Sequence, residues 1–189
     1  MMKLISILLL AILLAGCYND RGINFPFPEL NNYHNGKSGN YVPGEVACFL
    51  KDSVSLERLA DTIYSYNNIS INTVTGLQYT SALSPDSAAT IDSVLKSRTY
   101  LNNLQVRVSY LQSGEQMLIQ FGVSSFTQSD ISDWNSLVVR FDLAHAPSNS
   151  QTGQLNVPTG QEQKWINSLW QTRLFIRLEL EVINSTDFN

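Results

Sequence analysis

The sequence predicts an α+β fold in which a β-α-β-β-α-β unit occurs twice in tandem. Three observations predict it. Alternating and helix-periodic apolar patterns take turns along the chain from Pro43 onward. The order of elements begins again after the break Gln112-Ser113-Gly114-Glu115. Residues 91–101 and 166–176 line up with each other: Ile, Ser and Arg coincide, and the apolar positions agree in kind.

Taken in order, 45–50 is dense in apolar residues and reads as a buried strand. Ser55 can cap a helix over 56–66, since its side-chain oxygen can accept one of the N–H groups that a first turn leaves unpaired. Leu56, Leu59, Ala60 and Ile63 fall on one face of that helix. Ile69, Ile71 and Thr73 alternate with Ser70 and Asn72 in a strand, Thr75-Gly76 makes a turn, and 77–80 is a further short strand. Ser84-Pro85-Asp86 opens a second helix, with proline at the first helical position, where no N–H is missed. Leu104, Val106, Val108 and Tyr110 alternate with polar residues, the mark of a half-buried strand.

The second half reads likewise: a strand over 117–123, then a helix opened by Ser129 with Ile131, Trp134 and Val138 on one face. Strands over 140–143 and 154–157 flank a polar loop. Thr159-Gly160-Gln161-Glu162 has capping-box form and opens a helix carrying Trp165, Ile166, Leu169 and Trp170. The last strand alternates Ile176, Leu178, Leu180 and Val182 with charged residues. The order is that of a ferredoxin-like unit. The expected units are 43–112 and 113–189, the second ending in a short tail.

Ahead of them stand a leader over 1–16 and a flexible tether over 17–42. Lys3 supplies one charge, 4–14 is an apolar run broken only by Ser6, and Leu14-Ala15-Gly16-Cys17 follows. The run falls short of the roughly 20 apolar residues that a membrane-spanning helix needs. Leu14 to Cys17 resembles the lipobox of bacterial lipoproteins. That likeness implies cleavage before Cys17, a diacylglycerol thioether on its sulfur and acylation of the new amino terminus. It places the chain in the bacterial cell envelope, with the membrane as a partner through the lipid on Cys17. Two or three acyl chains anchor stably, at about 0.8 kcal/mol per buried methylene.

The chain has 12 basic and 16 acidic residues, and loss of the leader removes a lysine. An acidic balance argues against nucleic acid, which calls for a basic stripe. With Cys17 taken by lipid, Cys48 stands alone, so no intramolecular disulfide forms; within Val46-Ala47-Cys48-Phe49-Leu50 it reads as a small buried hydrophobe. Phe25-Pro26-Phe27-Pro28 favours extended backbone, which suits a spacer.

One stretch carries a second resemblance. Tyr41-Val42-Pro43-Gly44-Glu45-Val46, then Phe49-Leu50-Lys51-Asp52-Ser53-Val54-Ser55, looks like the opening of the propeptide domain of subtilisin-like proteases. The likeness implies a ferredoxin-like unit and, as an activity, inhibition of a secreted serine protease. No protease domain follows, and a second unit stands where a propeptide would carry its cleavable tail. The Pro-Gly-Glu-Val start is also similar to that of a small family of bacterial lipoproteins of no known function, which implies the anchor and names no activity.

Motifs for chemistry do not emerge. His34 and His145 sit in predicted loops without a cysteine or glutamate at ligand spacing, so no metal site is expected. There is no Gly-x-Ser-x-Gly elbow and no glycine-rich phosphate loop, so no catalytic residue and no cofactor site is assigned. Glu179 and Glu181, two apart on one strand, read as a solvated sheet face. Trp134 and Trp165 take core-facing positions, and Trp170 is the one expected at the surface. The expectation is a lipid-anchored, non-catalytic envelope protein that binds a macromolecule, its protein partner unknown. The alternatives are a stand-alone protease inhibitor and a hydrolase with dispersed carboxylates. An open sheet would favour binding, and a concave pocket with convergent polar groups an enzyme.

Overall fold

The computed structural model describes residues 41–111 and 114–182. Cys17, His34 and the tether lie outside the described residues, except for Tyr41 and Val42. Those two already belong to the first strand, where Tyr41 pairs with Val182.

The elements run β1 (Tyr41–Leu50), α1 (Leu56–Tyr64), β2 (Ser70–Ser81), a 3-10 turn (Pro85–Ser87), α2 (Ala88–Lys96), β3 (Leu101–Leu111), β4 (Gly114–Ser124), α3 (Gln128–Arg140), β5 (Leu143–His145), β6 (Thr152–Asn156), α4 (Glu162–Trp170) and β7 (Phe175–Val182). All seven strands join one antiparallel sheet in the order β3-β4-β2-β6-β1-β7, with β5 beside β2. The α+β class therefore holds, but the strands are arranged otherwise than the sequence suggests.

First, the expected strands over 69–73 and 77–80 are one strand, β2. The turn read at Thr75-Gly76 is a bulge inside it: the register against β4 slips between Val74 and Leu77, and Gly76 has φ +76°. An extra residue bends a strand without ending it, and glycine supplies the left-handed conformation. On the facing strand, β5 and β6 pair with opposite ends of β2 and are joined by the loop over 146–151. A β-carbon on Gly76 would stand 2.4 Å from the Ser150 carbonyl oxygen, so only glycine lets that loop cross here.

Second, the halves do not keep separate sheets. The first half gives β1, β2 and β3; the second gives β4, the β5–β6 pair and β7. Across the sheet these alternate, and the order reads the same from either edge when the halves are exchanged. Apolar alternation sets which face of a strand is buried, but not which strand lies beside it, so interleaving left no mark in the pattern.

Val46, Cys48 and Leu50 of β1, Val74, Leu77 and Tyr79 of β2, and Met117, Ile119, Phe121 and Val123 of β4 face inward. They form one core with the buried faces of the four helices. All four apolar residues read on α1 are buried. Ser55 Oγ accepts from Arg58 N at 3.3 Å, as expected of the cap. Pro85 opens a 3-10 turn after Ser84 that runs directly into α2, whereas two other starts move: α3 begins after Thr127 rather than Ser129, with Thr127 N donating to Asp130 Oδ2 at 2.8 Å. Residue 140 ends α3, so the strand expected over 140–143 is β5 instead. No capping box forms at Thr159, because Glu162 turns back to accept from Gly44 N at 2.7 Å and Gly160 N at 3.0 Å.

Candidate functional site

The sheet face opposite the core carries no helix. On β2 it presents Thr73, Thr75, Gln78 and Thr80; on β4, Gln116, Leu118 and Gln120; on β6, Thr152, Gln154 and Asn156. The pairing register places these in rows. Gln105, Gln120 and Gln78 lie side by side across β3, β4 and β2. In a separate row, Thr73, Gln154, Ala47 and Glu179 lie side by side across β2, β6, β1 and β7. Neighbours in the rows bond to one another: Thr75 Oγ1 with Thr152 Oγ1 at 3.0 Å, Thr73 Oγ1 to Gln154 Oε1 at 3.4 Å and Asn156 Nδ2 to Ser70 Oγ at 3.2 Å.

Charge is distributed unevenly over this face. β2, β5 and β6 contain no Asp, Glu, Lys or Arg. Sheet charges sit on the edge strands, as Arg107, Arg177, Glu179 and Glu181, at the start of β4, as Glu115, and midway along β1, as Glu45, which pairs with Asn156. Arg177 lies over the Phe49 ring at 3.7 Å and stands 3.5 Å from Glu179. Glu179 thus belongs to a solvated sheet edge, as its spacing suggests.

On the helical side, polar groups serve the packing. Glu57 Oε1 accepts from Trp134 Nε1 at 2.7 Å, and Oε2 from the Tyr79 hydroxyl at 2.8 Å; that hydroxyl accepts from Leu56 N at 2.9 Å. Burial first, then the Glu57 charge, pushes the Tyr79 hydroxyl pKa well up, which keeps it a donor. Tyr79 meets the rings of Trp134 and His145 edge-on. His145 is half-buried, and its Nε2 lies 3.1 Å from Gln151 Nε2, from which it accepts when the neutral imidazole carries its proton on Nδ1. Burial lowers the His145 pKa against the opposing pull of Glu57 and Asp52. Cys48 is buried and its thiol is pushed up to about 12 by desolvation, so it is an inert core residue.

Beyond this cluster, Arg98 clamps Asp133, Nε to Oδ2 at 2.8 Å and Nη2 to Oδ1 at 3.0 Å, while the Tyr100 hydroxyl donates to Oδ2 at 2.7 Å. Trp134 is fully buried, Trp165 partly so, and Trp170 is 39% exposed, the ranking read from helix positions.

Concave sites are modest. An open groove of about 830 Å³ runs between the outer sides of α1 and α3, lined by Asp61, Ile131, Asn135 and Val139 among others. A hollow of about 460 Å³ lies among Asn67, Asn68 and Asn156 at the end of the sheet. Among the described residues no three His, Cys, Asp or Glu side chains stand together as metal ligands. No helix of the described residues is long and apolar enough to cross a membrane.

The glutamine row was missed in the sequence, because register decides it. The absence of charge from the middle strands was legible there and was the usable signal. Compared with known proteins, the chain matches no known family, no curated protein and no solved structure.

Proposed function

We propose that this protein is a lipid-anchored component of the bacterial cell envelope, held by Cys17, and that it acts without catalysis by binding a macromolecule on its open sheet face. One observation carries the binding part: a broad hydrogen-bonding face that no helix covers, without charged side chains along β2, β5 and β6. Charged side chains keep an exposed sheet soluble and free of partners, and β2, β5 and β6 contain no Asp, Glu, Lys or Arg. The anchor rests on the leader and on Leu14-Ala15-Gly16-Cys17. The symmetric alternation of strands supports descent from a duplicated half, in place of two ferredoxin-like units in file.

Two experiments test this reading. Labelled palmitate should enter the intact protein and be lost in Cys17→Ala; equal labelling of the variant removes the anchor. A photo-cross-linking residue at Gln120, on the open face, should capture a defined adduct in the native envelope. The same residue at Asn135, on the outer side of α3, should capture little. Adducts from Asn135 alone would move the binding surface to the helices.

A further inference from the structure

We infer that the occupant of the open face is a neutral polysaccharide chain, a conclusion that rests on the binding role proposed for that face. The first argument is electrostatic. An ionic partner, such as a charged peptide, a nucleic acid or an anionic headgroup, gains its affinity from opposite charge, and β2, β5 and β6 offer none. Elsewhere in the sheet charges do occur, with Arg107 donating to Gln105 on β3, Glu115 on β4 and Glu45 on β1, so their absence from β2, β5 and β6 is local and not a property of the composition.

The second argument concerns hydrogen-bonding type. Glutamine and asparagine amides each offer both donors and an acceptor in one plane, and threonine hydroxyls offer both roles. A sugar hydroxyl also donates and accepts, so it pairs with such groups without leaving one of them unmatched. Gln78, Gln120 and Gln105 lie on neighbouring strands, which are roughly 4.8 Å apart. They form a ladder of amides that an extended polymer can follow across the sheet. Leu118, in the next row beside Thr80 and Arg107, gives an apolar spot against which the C–H face of a sugar ring can lie.

The third argument is shape. The surface is a face and not a pocket, which suits a chain bound along its length better than a single small sugar.

The test is affinity electrophoresis of the full mature chain in gels containing dextran, mannan, arabinoxylan or laminarin. Retardation by at least one of them is expected, and Gln78→Ala/Gln120→Ala should weaken it about tenfold or more. Gln120→Glu keeps size and adds charge, and should weaken it similarly while the thermal midpoint stays near that of the parent. Retardation unchanged in both variants would place any sugar binding away from this face and overturn the inference. No retardation in any gel overturns it too. In that case a protein adduct captured from Gln120, or inhibition of a subtilisin-like protease, would leave the binding role standing with a protein partner. Absence of any adduct would remove both.

Discussion

The indole N–H of Trp134 donates to the carboxylate of Glu57 at 2.7 Å, joining α3 to α1 across 77 residues of sequence. The Tyr79 hydroxyl takes the other oxygen. Trp134 and Tyr79 are among the largest fully buried side chains, so one carboxylate at the core margin satisfies two donors that burial has cut off from water.

Glu57→Leu should therefore cost about 2–6 kcal/mol, because each of the two donors left buried without a partner costs about 1–3 kcal/mol. Glu57→Gln can still accept from one donor and should lose less. Urea denaturation monitored by tryptophan fluorescence checks both. A loss below about 1 kcal/mol in Glu57→Leu would show that water replaces the carboxylate.

Leu59 is fully buried on α1. Leu59→Ala should cost about 2–5 kcal/mol, as large-to-small core substitutions do. Val139 on α3 is 83% exposed, and Val139→Ala should stay within about 0.5 kcal/mol. Similar losses in the two would mean that the helix faces are misassigned.

The helix faces were legible because the 3.6-residue period is local, and so were the burial of Cys48 and the order of exposure among the tryptophans. The sheet order was not, since β6 pairs with both β1 and β2 at sequence distances that no local pattern encodes. Glu57 was passed over because a glutamate on an amphipathic helix reads as solvated, and nothing near it announces Trp134. Glu162 looked like half of a capping box, and its partner Gly44 lies in the other half of the chain. The uncharged middle of the open face was written in β2, β5 and β6, but gained meaning only once the register set those strands side by side.

Acid should destabilise the protein in two stages. Burial lowers the His145 pKa below 6.5. Stability from the neutral imidazole is thus present above pH 6.5 and is lost as pH falls through the lower folded value. The Asp133 carboxyl is lowered, chiefly by the Arg98 hydrogen bonds. For Glu162, burial opposes the charge, but hydrogen bonds from the N–H groups of Glu162 itself, Gly160 and Gly44 outweigh it. Both carboxylates stabilise above the ordinary carboxylate range and stop doing so as pH falls through their lower folded values. Thermal midpoints measured from pH 8 to 3 should fall twice, and His145→Gln should flatten the first fall only. A midpoint that rises on acidification would contradict these directions.

Two glycines with nearly the same backbone separate conformational strain from crowding. Gly76 has φ +76° and Gly160 φ +78°. A side chain in this left-handed region costs about 1–2 kcal/mol at either site. Around Gly160 nothing lies within 4 Å of an added β-carbon, so Gly160→Ala should cost about that much and no more. At Gly76 the added carbon would stand 2.4 Å from the Ser150 carbonyl oxygen and 2.8 Å from its carbon, both of them backbone atoms. Relief there requires the loop over 146–151 to move, and with it Gln151, whose carbonyl accepts from Leu50 N at 3.0 Å. Gly76→Ala should therefore cost well above Gly160→Ala, and amide hydrogen exchange should quicken at Leu50. If the two variants lose equal stability, the loop does not cross β2 as closely as described, and the bulge is held by its conformation alone.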